Sequence, residues 1–352
     1  MSALGATLGW SSVVPSPDKQ GYYGEDQNMT VELRKGVTRK TAWQSVGSWI
    51  QTPEHDGLTA SDIITQAGLD WTVAKTELTT TVLGADGVHT MPLEDKVAVT
   101  RMDKDYRPID ILGVVGKDYS PVQNGDMVAL LDGIVDGAGA SFEAAGAYRS
   151  NKSVFVAMRL PFGFTVGDDQ SDVYLFVENS HDGGGALNVS VTGVRLACTN
   201  QIKGIRKANG YSVSFRHTKN MNVTGQRVRE AINLTVQATK QLSEEAEALI
   251  SSPFSKSEYQ ELIKTLLPLD GDLTDRVTTS REEARGQLMS VWSSPTNAGI
   301  VDTRWGAWNA ISEYDQWYRP VRGAQRSVRQ LENRLKGDTL TEKAGKLLLA
   351  GV

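Results

Sequence analysis

Two histidines, the single cysteine and a run of cations concentrate the chemical potential of this sequence between His181 and Arg229. Cys198 with His181 or His217 has the residue types of a thiolate nucleophile and its base. Cys198, however, closes the apolar run 194–197, where a lone cysteine packs as a small hydrophobe. His181-Asp182 resembles the paired ligands of metal-dependent phosphohydrolases, but the upstream His and downstream Asp that would complete such a site are missing. Asp182 fits better as the cap of the turn through Gly183, Gly184 and Gly185. Residues 113–119 (GVVGKDY) are not a phosphate loop, because the glycines are too close and Asp118 stands where Ser or Thr would bind magnesium. GAGASF (137–142) lacks the third glycine of a dinucleotide fingerprint. The expectation is a chain with no catalytic residue, no metal and no cofactor.

The cations are the stronger signal. From Gly183 to Arg229 there are eight Lys or Arg and no Asp or Glu, although acidic residues outnumber basic ones 42 to 37 over the whole chain. Arg195, Lys203, Arg206, Lys207, Arg216, Lys219 and Arg227 are the candidate phosphate contacts, and Tyr211 and Phe215 are interleaved as candidate base-stacking groups. If half of the cations met phosphate, affinity for a single strand would fall with salt at a slope of about −3, at ~0.7 per contact. His181, Asp182, Cys198, Asn200 and His217 are expected to scaffold that surface. A solvated helix face plus a loop is the bland alternative, as for most charge runs. A second segment (303–330) places Trp305, Trp308, Tyr314, Trp317 and Tyr318 ahead of Arg319, Arg322, Arg326 and Arg329. The i, i+3 spacing of Trp305 and Trp308 predicts a core helix rather than a stacking platform.

The composition fits these expectations. A net charge of −5 argues against indiscriminate DNA coating, yet phosphate feels only charge within about a Debye length, ~8–10 Å. One cysteine and four histidines leave no disulfide framework and no Cys/His zinc site. With no secretory leader and no apolar stretch near the ~20 residues of a membrane span, a cytoplasmic protein without membrane contact is expected, in the host cytoplasm if phage-encoded.

The elements that must position these residues are legible in part. Residues 1–40 lack periodicity and are expected to form a poorly ordered N-terminal arm. Thr59 caps a short helix that stops at Gly68, and strands follow at 71–78 and around Val82. DKVAVTRM (95–102) and PIDILGVVG (108–116) read as strands, followed by a helix through Val128, Leu131, Ile134 and Val135 closed by Gly137. Four more strands are predicted at 141–149, 152–160, 172–180 and 186–197, with a hairpin turn at RSNK (149–152). A helix over 225–251 carries one apolar stripe and ends before Pro253, and the rest is helical. The fold class is therefore α+β: an antiparallel β-sheet core flanked by a long helix, with a helical C-terminal region. Residues 41–252 form the α+β core domain with the basic segment, and 253–352 the helical region.

Several blocks carry a resemblance. ENSHDGGGALNVSVTGVRLACTNQI, Arg216-His217-Thr218 and the helix opening QRVREA resemble the phage/plasmid-like family carried as a domain of unknown function. AGLDW (67–71), GVVGKDYSPVQN (113–124) and WGAWNAISEYDQW (305–317) look like further family blocks, so the resemblance covers about residues 40–320. Gln201 stands after Asn200 where threonine is common, and Leu196-Ala197 replaces a more usual valine pair. The resemblance implies a mobile-element origin and supplies no activity. By architecture alone, the basic groove on an α+β core is similar to single-strand annealing recombinases of the RecT and Redβ type. The leading expectation is a recombination protein that binds single-stranded DNA, with duplex DNA a further option, and anneals strands as a homo-oligomeric ring or filament without nucleotide cofactor. The alternatives are a hydrolytic or nucleotide-modifying enzyme centred on His181, Cys198 and His217, and a protein-binding counter-defence module.

Overall fold

Alternating apolar residues give the main sheet two usable faces. In β6 (Ser153–Val166), Val154, Val156 and Met158 point into the large core while Phe155 and Ala157 point the other way. The computed structural model describes residues 43–44, 46–51, 57–195, 201–202, 212–217, 225–321, 328–331 and 340–351. The N-terminal arm expected over 1–40 lies outside them.

Within this range the strands β1 (Trp49–Ile50), β5 (Ser141–Tyr148), β6, β7 (Asp169–Ser180), β8 (Leu187–Arg195), β9 (Gln201–Ile202) and β10 (Ser212–Phe215) build a seven-stranded antiparallel sheet. Its order is β1-β5-β6-β7-β8-β10, with β9 also paired to β8. A second sheet joins β2 (Thr72–Gly84), β3 (Gly87–Met102) and β4 (Pro108–Gly116) in sequence order. The α+β class with antiparallel sheets is thus what the chain adopts.

The helices cover one face of the main sheet. In α1 (Ala60–Gln66), Thr59 and Asp62 form a reciprocal capping box, satisfying two otherwise orphaned N–H groups. A 3₁₀ turn at Asn124–Met127 leads into α2 (Val128–Ala138), whose Leu130, Leu131 and Ile134 are fully buried. The helix closes at Gly139 in the left-handed conformation (φ +64°), not at Gly137. Gly137 has a different task. A Cβ there would lie 2.4 Å from Ile232 Cδ1, and one on Gly133 would lie 2.8 Å from Val228 Cγ2. These two glycines, one helical turn apart, let α2 lie close against α3 (Gly225–Ile250), which packs across β6 and β8.

The C-terminal helices α4 (Lys256–Leu266), α5 (Asp275–Trp292), α6 (Arg304–Glu313) and α7 (Leu340–Leu349) share this core rather than forming a separate one. Trp305 and Trp308 are 1% exposed and stacked at 5.3 Å, as their spacing predicts. The Trp305 indole N–H donates to Asp169 Oδ2 at 2.8 Å, fastening α6 to the start of β7. On the opposite face of the sheet, Phe155 and Phe176 stack at 5.2 Å beneath Trp43 and Leu331.

The strand expected at 71–78 and the one around Val82 are a single strand, β2, and β3 begins eight residues before the predicted Asp95. Threonine and valine hold both strands in extended backbone after the hydrophobic alternation has lapsed, and a tight turn joins Gly84 to Gly87. Among the described residues no helix is long and apolar enough to cross a membrane.

Candidate functional site

The turn after β7 is built by charge and glycine together. Asp182 Oδ1 accepts from the Gly184 N–H at 2.9 Å and from Ser180 Oγ at 2.8 Å, so its carboxylate folds the chain back on itself. Gly183 takes φ +77°, and a Cβ there would lie 2.5 Å from Val115 Cγ1. From the other side, a Cβ on Gly113 would lie 2.7 Å from the Asp182 backbone. Strand β4 therefore crosses the turn in direct contact, and glycine on both partners is a steric requirement.

The predicted hairpin at 149–152 stands next to it. Arg149, Ser150 and Asn151 all adopt positive φ (54°, 54° and 63°), a costly conformation for residues with a Cβ. It is held because Arg149 Nη2 reaches Asp182 Oδ2 at 2.7 Å and Arg149 Nη1 reaches Ser153 Oγ at 3.2 Å. The His181 N–H adds a bond to Lys152 O at 2.8 Å. Burial pushes the Asp182 carboxyl up, but the Gly184 N–H, Ser180 and Arg149 together outweigh it and hold its pKa below the usual value.

His181 is fully buried. Asn124 Nδ2 donates to Leu69 O at 2.8 Å, which turns Asn124 Oδ1 toward the ring, 2.9 Å from His181 Nε2. The Nε2 atom must therefore carry the proton, leaving Nδ1 as a bare acceptor with no hydrogen-bond partner. Trp71 meets the ring edge-on at 5.1 Å, and the Arg101 guanidinium lies 5.1 Å from the same indole. Burial, reinforced by nearby His217, pushes the His181 pKa down to about 4. Tyr119 OH lies 2.6 Å from His217 Nδ1 and donates to Ser180 O at 3.3 Å, His217 Nε2 lacks a partner, and burial pushes the His217 pKa down to about 4. Tyr119 is pushed up to about 12 by burial and then by the Asp182 charge, so it remains a hydrogen-bond donor at neutral pH. Asn179 Nδ2 donates to Val122 O at 3.0 Å. Both histidines are thus neutral struts at pH 7, tying the turn to the 113–124 segment and the end of β10.

Beside the turn lies an open cleft of about 730 Å³, bordered by Asp95, Val115, Lys117, Asp118, Tyr119 and Asp182. Its carboxylates outnumber its cation, which is the wrong sign for phosphate. Of the expected cations, the described ones, Arg195, Arg216, Arg227 and Arg229, belong to β8, the end of β10 and the start of α3. Arg216 and Arg229 are exposed there. Phe215 is only 6% exposed and pairs with Leu187 across the ladder, and the Arg227 guanidinium covers its ring at 4.7 Å. It anchors β10 and has no open face for a base. Arg195 closes β8. Lys203, Arg206, Lys207, Tyr211, Lys219, Cys198 and Asn200 lie outside the described residues.

Among the expected scaffold residues, His181, Asp182 and His217 converge with Arg149, Tyr119, Asn124, Asn179 and Gly113. These five were not singled out from the sequence. Gly113, Tyr119 and Asn124 do fall in the block GVVGKDYSPVQN, a signal that named the segment without its contacts. Among the described residues, no three or more His, Cys, Asp or Glu are grouped so as to hold a metal.

No curated protein and no solved structure matches the chain. The family model described as Domain of unknown function (DUF932) matches residues 111–336, more than half of the sequence. That span runs from within β4 through the turn, the basic segment and the tryptophan helix. The chain belongs to the DUF932 family.

Proposed function

We propose that this protein binds single-stranded DNA along its basic segment and anneals complementary strands as a ring or filament, without a nucleotide cofactor. The observation that carries the reading is the charge segregation: eight cations and no carboxylate from Gly183 to Arg229 in a chain of net charge −5. The described parts of that segment meet at one sheet edge, where β8, β10 and the start of α3 adjoin. A fold by itself carries no activity. A cationic edge does have a consequence, since it holds phosphates and leaves Watson–Crick edges free to pair. Annealing asks for no nucleophile, in keeping with histidines that serve as neutral struts. Phage- or plasmid-borne recombination is the setting this reading suits.

One observation favours the hydrolytic alternative, namely the unpartnered nitrogens of His181 and His217. Full burial of His181 weighs against it, because a general base must reach its substrate. On that alternative, Cys198→Ser or His217→Ala abolishes turnover in a folded protein.

The test is binding of labelled single-stranded DNA across a salt series, run with a strand-annealing assay. The reading expects tight binding at low salt, and uniform weakening across sequences when Arg206 and Lys207 are reversed to Glu. A folded protein with no DNA affinity at low salt overturns it.

A further inference from the structure

We draw no further inference here: the strongest candidate, the two-stranded arm in which β2 and β3 run on past the end of β4 with Val82, Leu83, Val88 and Met91 exposed, carries nothing because nothing in the structure shows what covers it.

Discussion

The β7–β8 turn and the β2–β3 arm are both hairpin ends of antiparallel sheets, yet they are held in opposite ways. At the turn, Asp182 takes three hydrogen bonds, from Gly184, Ser180 and Arg149, and β4 presses on it so closely that only glycine fits. In the arm, where β2 and β3 stay paired beyond the end of β4 out to Gly84 and Gly87, Val82, Leu83, Val88 and Met91 are 43% to 80% exposed. Buried polar networks fix one geometry because each unsatisfied member is costly. Exposed apolar ribbons fix nothing until something covers them. The first region is held in one geometry, and the second leaves apolar side chains in water.

Substitutions should separate the two sharply. The largest effect is expected for Asn124→Ala, which strips the buried His181 Nε2–H of its acceptor and Leu69 O of its donor. At about 1–3 kcal/mol for each of the two buried groups left unsatisfied, chemical denaturation should show a loss of about 2–6 kcal/mol. An unchanged midpoint would mean that the network does not hold the turn.

Acid should act on the same region. His181 and His217 sit at about 4 in the fold against an ordinary 6.5. Between those values the unfolded chain binds more protons than the native one. Stability is therefore full above pH 6.5 and falls as the pH drops toward 4. For His181 the loss is on the order of 3 kcal/mol, at about 1.4 kcal/mol for each tenfold change in proton affinity. Thermal midpoints across this window should decline in the parent and decline less steeply in His217→Gln. Equal slopes would contradict the assignment.

Arg149→Ala should cost less, about 1 kcal/mol, because the Arg149–Asp182 pair is partly solvated and screened. High salt should shrink that difference. In the arm, Leu83→Asp should leave the stability of the single chain within about 0.5 kcal/mol of the parent, as for surface positions generally. A loss comparable to that of Asn124→Ala would show that the arm packs on its own chain, and the contrast between the regions would collapse.

The sequence carried the main sheet well because alternation in β6 and β8 follows the side on which the core lies, and it carried α1 through Thr59 and Asp62. The arm escaped for the converse reason. With no core on either side, its strands have no alternation to read, and only threonine, valine and a tight turn marked them. Gly137 was read as a helix stop because a glycine in a helix looks the same whether it ends the helix or admits a neighbour. At the site, His181 and Asp182 announced themselves by type, whereas Asn124 and Arg149 act through partners 57 and 33 residues away. Such pairings arise from topology, which spacing along the chain does not encode. Phe215 looked like a stacking group among cations, and its burial follows from the β10–β8 pairing.

The most direct test of the central claim is the salt dependence of single-stranded DNA binding, with the parent beside Arg216→Glu/Arg229→Glu, two exposed positions at the basic edge. The account predicts a log–log slope of about −3 for the parent, reduced in magnitude by about 1.4 in the variant, at ~0.7 per phosphate contact. A parent that does not bind at low salt, or a slope the variant leaves unchanged, would contradict it.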